Sequence, residues 1–381
     1  MINSRRSFLC SLGLGTAAGL LWPIRGSSRP ITFEPGTYGD LDGVIRLNSN
    51  ENAYGPSPKV AETIASVVAG ANRYPRMQYG LLREHIAASH RIKPEQVILG
   101  CGSTEVLRMA VFAFLGSGKR VIHAVPTFEA IGQYANAAGS EPIGVHLTSG
   151  FAHDLGGMLS RIDANTGLIY ICNPNNPTAS LTHRKDLEEF IQRVPTSVPA
   201  VIDEAYHHYA GQSGMYSSFI DHPIEDDRII VTRTFSKVYG LAGLRIGYAV
   251  ASPKIARQMQ KFGTDDNINA IATSTAVVAL DDVAGTSEAV QRNANDRQEF
   301  FNQAMARALK PIDSHANFVM MNTYHPAAQV VEHFRVNNIL IGPVFPSMET
   351  HIRVSLGTRD EIAAFWRTWD MIPWSKNIGH H

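Results

Sequence analysis

Residues 228–250 read RIIVTRTFSKVYGLAGLRIGYAV. An apolar run opens this stretch, a turn of small residues lies in its middle, and a second apolar run closes it. The pattern predicts a strand, a loop and a second strand, with Lys237 on the loop. A lysine held there is partly removed from water, which lowers the pKa of its amine. A lowered pKa is what a lysine needs to form a Schiff base.

The polar neighbours of Lys237 suit a phosphorylated cofactor. Thr234 and Ser236 place hydroxyl groups close to the amine, and Arg245, eight residues after the lysine, offers a planar fork for a phosphate. Together these groups describe a site for pyridoxal 5'-phosphate (PLP). The competing interpretation is a surface lysine beside a structural arginine, since long charged side chains are mostly exposed.

The same segment resembles the lysine signature of fold-type I PLP-dependent aminotransferases, S/T-x-S/T-K followed eight residues later by Arg. The segment TFSKVYGLAGLRIGY is similar to the corresponding segment in the histidinol-phosphate aminotransferase branch of that family. The resemblance implies an α/β fold, with a mostly parallel sheet, flanking helices and a small second α/β domain. It also implies that PLP binds at Lys237.

Composition excludes several other classes of protein. At 381 residues the chain is long enough for about two domains. Lys plus Arg and Asp plus Glu are equal at 34 each, which argues against a nucleic-acid partner or an anionic membrane surface. The sequence has no spacing typical of a metal site, and nothing local pairs Cys101 with Cys172 in a disulfide.

The amino terminus carries an export pattern. Residues 4–9 read SRRSFL, a twin-arginine pattern, and a mildly apolar run extends from Cys10 to Leu21. That run is too short to span a bilayer as a mature helix and fits the apolar region of a signal peptide. We predict export by the twin-arginine route to the periplasm, with residues 1–28 as the signal and no stable membrane anchor. The alternative is a chance Arg-Arg pair, which leaves the protein in the cytoplasm.

Other motifs follow short apolar runs that are typical of strands. Gly100–Glu105 lies between such a run and a helix, and the free N–H groups at a helix start favour a phosphate. Asn173–Thr178 follows a second run, and its two prolines make a rigid turn. Asp203 ends a third run. A carboxylate at a strand end of an open α/β sheet lies in the ligand crevice, and PLP needs one beside its ring nitrogen.

The resemblance assigns roles to these motifs. The cofactor-binding residues that it implies are Gly102, Ser103 and Thr104 at the phosphate, Phe128 stacked on the ring, Asn176 and Tyr206 at the phenolic oxygen, Asp203 at the ring nitrogen, and Thr234, Ser236 and Arg245 beside Lys237. On its residue type alone, Phe128 fits core packing equally well. Where the family usually continues N-P-T with glycine, this chain has Ala179.

Two amino-terminal motifs concern the partner and the substrate. Arg73-Tyr74-Pro75 resembles the family's R-Y-P motif, whose tyrosine reaches across a dimer interface to the partner's PLP phosphate. The resemblance therefore implies a homodimer with Tyr74 in the other subunit's site. Residues 48–56 resemble N-x-N-E-N-P-Y-G-P, an arm that closes over the substrate, with Ala53 in place of proline. This resemblance makes Tyr54 a substrate-binding candidate.

The residues that bind the substrate are less clearly indicated by the sequence than those that bind the cofactor. Residues 351–358 alternate like a strand with one inward Arg353, and they resemble the family segment whose arginine grips the anionic end of the substrate. A planar fork suits a carboxylate and a phosphate equally. Histidinol-phosphate aminotransferases usually have a second arginine near Gly342, and losing that contact costs about 1.5–3 kcal/mol. We therefore predict an α-amino acid donor in preference to histidinol phosphate.

The sequence as a whole predicts a PLP-dependent aminotransferase that moves an amino group from an α-amino acid, or histidinol phosphate, to a 2-oxo acid through Lys237. We expect an arm over residues 29–50, a large PLP-binding domain over 51–275 and a small domain over 276–381. Two alternatives stay open. One is a PLP-dependent lyase or decarboxylase on the same scaffold, and the other is an exported binding protein without catalytic activity.

Overall fold

The computed structural model describes residues 43–373. The predicted signal and most of the predicted arm lie outside the described residues. The described strands are β1 (Ile45–Leu47), β2 (Val97–Gly100), β3 (Arg120–Val125), β4 (Glu141–His146), β5 (Thr166–Cys172), β6 (Ala200–Asp203), β7 (Ile229–Thr234), β8 (Gly247–Val250), β9 (Lys310–Pro311), β10 (Phe318–Asn322), β11 (Ile339–Ile341) and β12 (His351–Ser355).

Helices alternate with these strands. They are α1 (Pro58–Val67), α2 (Arg76–His90), α3 (Ser103–Phe114), α4 (Ala130–Ala137), α5 (Leu155–Ser160), α6 (Arg184–Arg193), α7 (His207–Ala210), α8 (Pro253–Gln260), α9 (Ala270–Asp281), α10 (Val283–Ala306), α11 (Ala327–Val336) and α12 (Arg359–Asp370). Within residues 43–373, none of these helices combines the length and the apolar character that a bilayer crossing requires.

A seven-stranded sheet forms the centre, in the order β2-β8-β7-β6-β5-β3-β4. The strands from β7 to β4 run parallel, whereas β8 is antiparallel to both of its neighbours. Strands β5, β6 and β7 are buried along their whole length, as expected for parallel strands covered by helices on both faces. The predicted α/β fold with a mostly parallel sheet is confirmed.

Smaller sheets complete the described chain. Strand β10 pairs antiparallel with β12 and β9, and β1 pairs parallel with β11. Their apolar residues pack with α10, α11 and α12 in a core of their own, which contains Phe300, Phe334, Phe365 and Trp369. The predicted division at residue 275 falls within α9, a helix that packs on α1 and α2.

Polar side chains fix where several helices begin. Thr358 and Glu361 form a capping box at the start of α12, with each side chain bonded to the other residue's backbone N–H. Asn269 and Asp282 accept hydrogen bonds from backbone N–H groups in the first turns of α9 and α10. The boundaries of these helices are thus encoded locally.

Candidate active site

A cavity of about 410 Å³ opens at the carboxyl ends of the central strands. Cys172 ends β5, Asp203 ends β6 and Thr234 ends β7, and all three line the cavity. Because parallel strands end at the same edge of a sheet, side chains that are distant in sequence meet there. The predicted site residues that line the cavity are Ser103, Thr104, Phe128, Asn176, Asp203, Tyr206, Thr234, Ser236, Lys237, Arg245 and Arg353.

Lys237 lies on the loop after β7, as predicted, with its amine in the cavity. Its Nζ donates to the backbone carbonyl of Asn50 at 2.9 Å. Burial lowers the pKa of this amine to about 8, and the nearby charge of Arg353 acts in the same direction. The lowered pKa makes the Lys237 amine easier to deprotonate than an ordinary lysine, and therefore more available as a nucleophile or a base.

The start of α3 and Arg245 form a part of the cavity that suits a phosphate. The segment Gly102–Thr104 opens α3, so its free N–H groups and the helix dipole favour an anion. Arg245 Nη2 approaches Thr104 Oγ1 at 3.4 Å, and Arg245 Nη1 approaches Ser236 Oγ at 3.4 Å. Gly102 has φ +76°, and a Cβ at this position would collide with the Arg245 guanidinium. Glycine is therefore required for the arginine to reach this loop.

A further wall of the cavity carries the groups predicted to face the cofactor ring. Asp203 is buried at the end of β6 and accepts hydrogen bonds from Tyr170 Oη at 2.8 Å and from the backbone N–H of Ala205 at 3.2 Å. Tyr206 Oη accepts a hydrogen bond from the Asn50 side chain at 3.1 Å. This wall thus offers a carboxylate and a phenol a short distance from the lysine loop.

This donor set fits PLP. The anion site at the start of α3 suits its phosphate, the Asp203 carboxylate suits its ring nitrogen, and Lys237 suits its aldehyde carbon. The glycine at position 102, where any larger residue would displace Arg245, is a second observation in favour of this fit. The chemistry that PLP supplies when bound is an electron sink for negative charge that develops on a substrate carbon.

Arg353 lies in the same cavity, with 8% of its surface exposed. Its Nη1 donates to Asn176 Oδ1 at 2.6 Å and its Nη2 to the carbonyl of Asn48 at 2.7 Å. Its Nε is buried and, among the described residues, has no hydrogen-bond partner. A guanidinium that lines the cavity and donates to the neutral oxygens of Asn176 and Asn48 keeps its charge for an incoming anion.

Gly342 packs directly against this arginine. Its N–H donates to the Arg353 carbonyl at 2.8 Å, and a Cβ on residue 342 would lie 2.9 Å from the Arg353 Cβ. Such a distance is below normal van der Waals contact, so position 342 has no room for a side chain while Arg353 keeps its place.

Three predicted site residues are not among those that line this cavity, namely Gly102, which precedes Ser103 at the start of α3, Tyr54 and Tyr74. Tyr54 lies in a separate groove, where its hydroxyl bonds to Asp296 at 3.1 Å and Arg292 lies 4.5 Å from its ring centroid. Tyr74 is 76% exposed, just before α2. Its predicted contact is with a second subunit, so the position of Tyr74 within one chain leaves that prediction open.

Sequence reasoning missed Asn50. Its carbonyl accepts from Lys237, its side-chain amide donates to Tyr206, and its N–H donates to Ser355 Oγ at 2.8 Å. Its φ is +53°, a conformation in which asparagine is enriched. The N-x-N-E-N motif was the only available signal, and it gave no reason to prefer Asn50 over its neighbours.

Comparison with known proteins agrees with this geometry. The family model for aminotransferase class I and II matches residues 42–367. The "Histidinol-phosphate aminotransferase 2" of Methylococcus capsulatus is 35% identical over 344 residues, covering 87% of this chain and 91% of the relative. An aromatic amino acid aminotransferase of Cutibacterium acnes is 35% identical over 285 residues, covering 74% and 80%.

A solved structure gives the same result. The histidinol-phosphate aminotransferase from Sinorhizobium meliloti, crystallised with pyridoxal-5'-phosphate, superposes with a TM-score of 0.80 and 26% identity, covering 87% of this chain and 91% of that one. The family model and the relatives agree with the geometry of the cavity. The cavity contains an anion site at the start of α3, a buried carboxylate and a lysine of lowered pKa. This chain therefore belongs to the aminotransferase class I and II family and is a PLP-dependent transaminase of fold type I.

Proposed function

We propose that this aminotransferase takes its amino group from an α-amino acid, held by its carboxylate at Arg353, and passes it to a 2-oxo acid. The position of Arg353 supports this proposal, because its guanidinium lines the cavity and donates to neutral oxygens of Asn176 and Asn48, which leaves its charge for an anion. In this scheme Arg353 would orient the donor, and Lys237 Nζ would move the proton from the donor's Cα to the cofactor's aldehyde carbon. Asp203 would hold the ring nitrogen of PLP and keep that nitrogen protonated.

The cations of the cavity favour a carboxylate over a phosphate. Its lining includes Lys237, Arg245 and Arg353. Lys237 is the reacting amine, and Arg245 faces the phosphate site at the start of α3. Arg353 is therefore the cation that remains for the substrate. A phosphate dianion is better matched by two forks than by one, and the packing of Gly342 against Arg353 leaves no space for a second arginine there.

Histidinol phosphate is the second candidate donor. Several relatives that match more than four-fifths of the chain are named histidinol-phosphate aminotransferases, at 34–35% identity. Arg353 would then hold the substrate phosphate without a second arginine at position 342. A relative named for aromatic amino acids is equally similar in sequence, at 35% identity, so identity alone does not choose the donor.

A half-reaction scan tests the proposal. The PLP-loaded protein is mixed with single amine donors, including histidinol phosphate, and the cofactor absorption band is followed. We expect α-amino acids to bleach the band and Arg353→Lys to weaken that reaction, because a lysine lacks the planar fork. If histidinol phosphate bleaches the band while α-amino acids do not, the proposed donor is wrong. Carbon dioxide release without a keto acid would favour a decarboxylase.

We also propose that the protein is a homodimer in which Tyr74 reaches the partner's phosphate seat. The side chains of Tyr74, Met77 and Leu81 are 76%, 72% and 52% exposed on and before α2. Such exposed apolar side chains close together are typical of an interface. Light scattering should give twice the chain mass. Tyr74→Phe should weaken PLP binding without changing the mass, and unchanged PLP affinity would contradict the role of Tyr74.

Finally, we propose export by the twin-arginine route. The support is the SRRSFL motif with the apolar run after it. In a bacterial host the full chain should reach the periplasmic fraction, and replacement of both Arg5 and Arg6 by Lys should retain it in the cytoplasm. A wild-type chain found in the cytoplasm would refute export.

A further inference from the structure

Tyr170 is a fully buried side chain beside Asp203. It lies on β5, where Tyr170 pairs with Val201 of β6 and Cys172 pairs with Asp203. The ring of Tyr170 packs in the core cluster that contains residues of α3, α4 and α8. From this core its hydroxyl reaches Asp203 Oδ2 at 2.8 Å. The tyrosine therefore contacts the carboxylate from beneath the cavity and does not line the cavity itself.

Asp203 needs such a donor in order to stay ionised. Only 3% of its surface is exposed, and burial raises the pKa of its carboxyl group because a charge is costly away from water. A hydrogen bond donated to the ionised form lowers the pKa again, and Tyr170 Oη makes one. Burial also raises the pKa of the Tyr170 phenol well above its usual value, so the phenol keeps its proton for donation.

Other titratable groups face Asp203 from every side. Cys172 lies opposite on β5, Glu204 is the next residue along the chain, and Tyr206 and Lys237 line the same cavity. The charge of Glu204 raises the pKa of Asp203, and Glu204 is itself paired with Arg233 at 3.0 Å. Tyr170 opposes the combined effect of burial and Glu204.

We propose that Tyr170 is a positioning residue of the transamination site, which holds the Asp203 carboxylate ionised and aimed at the cofactor's ring nitrogen. Tyr170 Oη donates a hydrogen bond to Asp203 Oδ2, and the Ala205 N–H donates one to Asp203 Oδ1. These two bonds fix the rotation of the carboxylate. An ionised carboxylate held in this orientation can accept a hydrogen bond from a protonated ring nitrogen. A protonated Asp203 would instead donate a hydrogen bond to the lone pair of the ring nitrogen, which favours the unprotonated form of that nitrogen. The inference rests on the role proposed for Asp203.

Tyr170→Phe tests this inference, because it removes one oxygen and keeps the buried ring. In the PLP-free protein, infrared difference spectra report the protonated Asp203 carboxyl, identified by its loss in Asp203→Asn. We expect its titration midpoint to rise by about one to two pH units in Tyr170→Phe, the loss of one hydrogen bond to a charged group. PLP affinity, measured by titrating PLP-free protein with PLP, should fall about tenfold or more.

A matched control is Tyr134→Phe, which removes a hydroxyl from a tyrosine on α4 that packs against the same core cluster. It should leave the Asp203 titration unchanged. The double variant Tyr170→Phe with Asp203→Asn separates a positioning role from a packing role. If Tyr170 acts through Asp203, the double variant should bind PLP no more weakly than Asp203→Asn alone.

Failure of this inference differs from failure of the site assignment. If Asp203→Asn retains full PLP affinity and turnover, the proposed role of Asp203 is wrong, and the inference falls with it. If Asp203→Asn loses both, but Tyr170→Phe leaves the carboxyl titration and PLP affinity unchanged, only the inference is overturned. Additive losses in the double variant would make Tyr170 a packing residue.

Discussion

Histidine 153 should make this protein lose stability in mild acid. His153 is buried to 4% exposure, and its Nδ1 lies 2.6 Å from Thr182 Oγ1. Its Nε2 has no hydrogen-bond partner among the described residues. The backbone of Thr182 holds the side-chain amide of Asn173, because the Thr182 N–H donates to Asn173 Oδ1 and the Thr182 carbonyl accepts from Asn173 Nδ2. Asn173 lies on the same loop as Asn176. A charge on His153 would therefore be buried beneath a wall of the active site.

The magnitude follows from the pKa of the imidazole. Burial lowers it from 6.5 to about 4. The folded state therefore binds the proton less readily than the unfolded chain does, so stability is complete above pH 6.5 and falls as the pH drops toward 4. At about 1.36 kcal/mol per pKa unit, the total loss is about 3 kcal/mol, and about 2 kcal/mol of it is reached by pH 5.

Urea unfolding at pH 7.5 and pH 5.0 measures this loss, followed by two optical probes whose coincidence checks two-state behaviour. We expect His153→Gln to lose about 2 kcal/mol less than the wild type between these pH values, because glutamine does not titrate. His146→Gln is the control, since His146 is exposed. An equal loss in wild type and His153→Gln would refute the reasoning and place the acid sensitivity in other buried groups.

Three further changes have defined outcomes. Lys237→Ala should abolish turnover, and substantial residual transamination in a steady-state assay would contradict its assignment. Gly342→Ala should raise the KM for the amine donor at least severalfold, since its Cβ would lie 2.9 Å from the Arg353 Cβ and displace the guanidinium; an unchanged KM would refute this. Glu204→Gln should destabilise the fold by about 1.5–3 kcal/mol in urea unfolding, because the buried Arg233 loses its charged partner at 3.0 Å and keeps only Asp221, at 3.1 Å, as a carboxylate partner among the described residues; an unchanged stability would refute this.

The cavity was largely predictable because its chemistry lies at strand ends. An apolar run followed by polar or glycine residues is a local signal, and Asp203 and Thr234 end β6 and β7 as that signal predicted. The parallel arrangement then brings such ends together without information about loops.

Contacts between distant segments could not be predicted in this way. The bond from Tyr170 to Asp203 depends on the register of β5 against β6, and the sequence carries no local mark of that register. Tyr54 lies outside the cavity because the chain turns through positive φ at Asn50 and Gly55, and its ring then meets α10. A motif identifies residue types, whereas the direction of a side chain after a turn depends on tertiary packing.

The bonds of Asn50 have a mechanical consequence. This residue bonds at once to Lys237 on the central-sheet loop, to Tyr206 after β6, and to Asn317 and Ser355 of the small sheet. A hinge movement of the small sheet that widens the cavity must therefore stretch or break a bond to the residue that also holds the reactive amine. Asn50 therefore links the position of the small sheet to the position of the Lys237 amine.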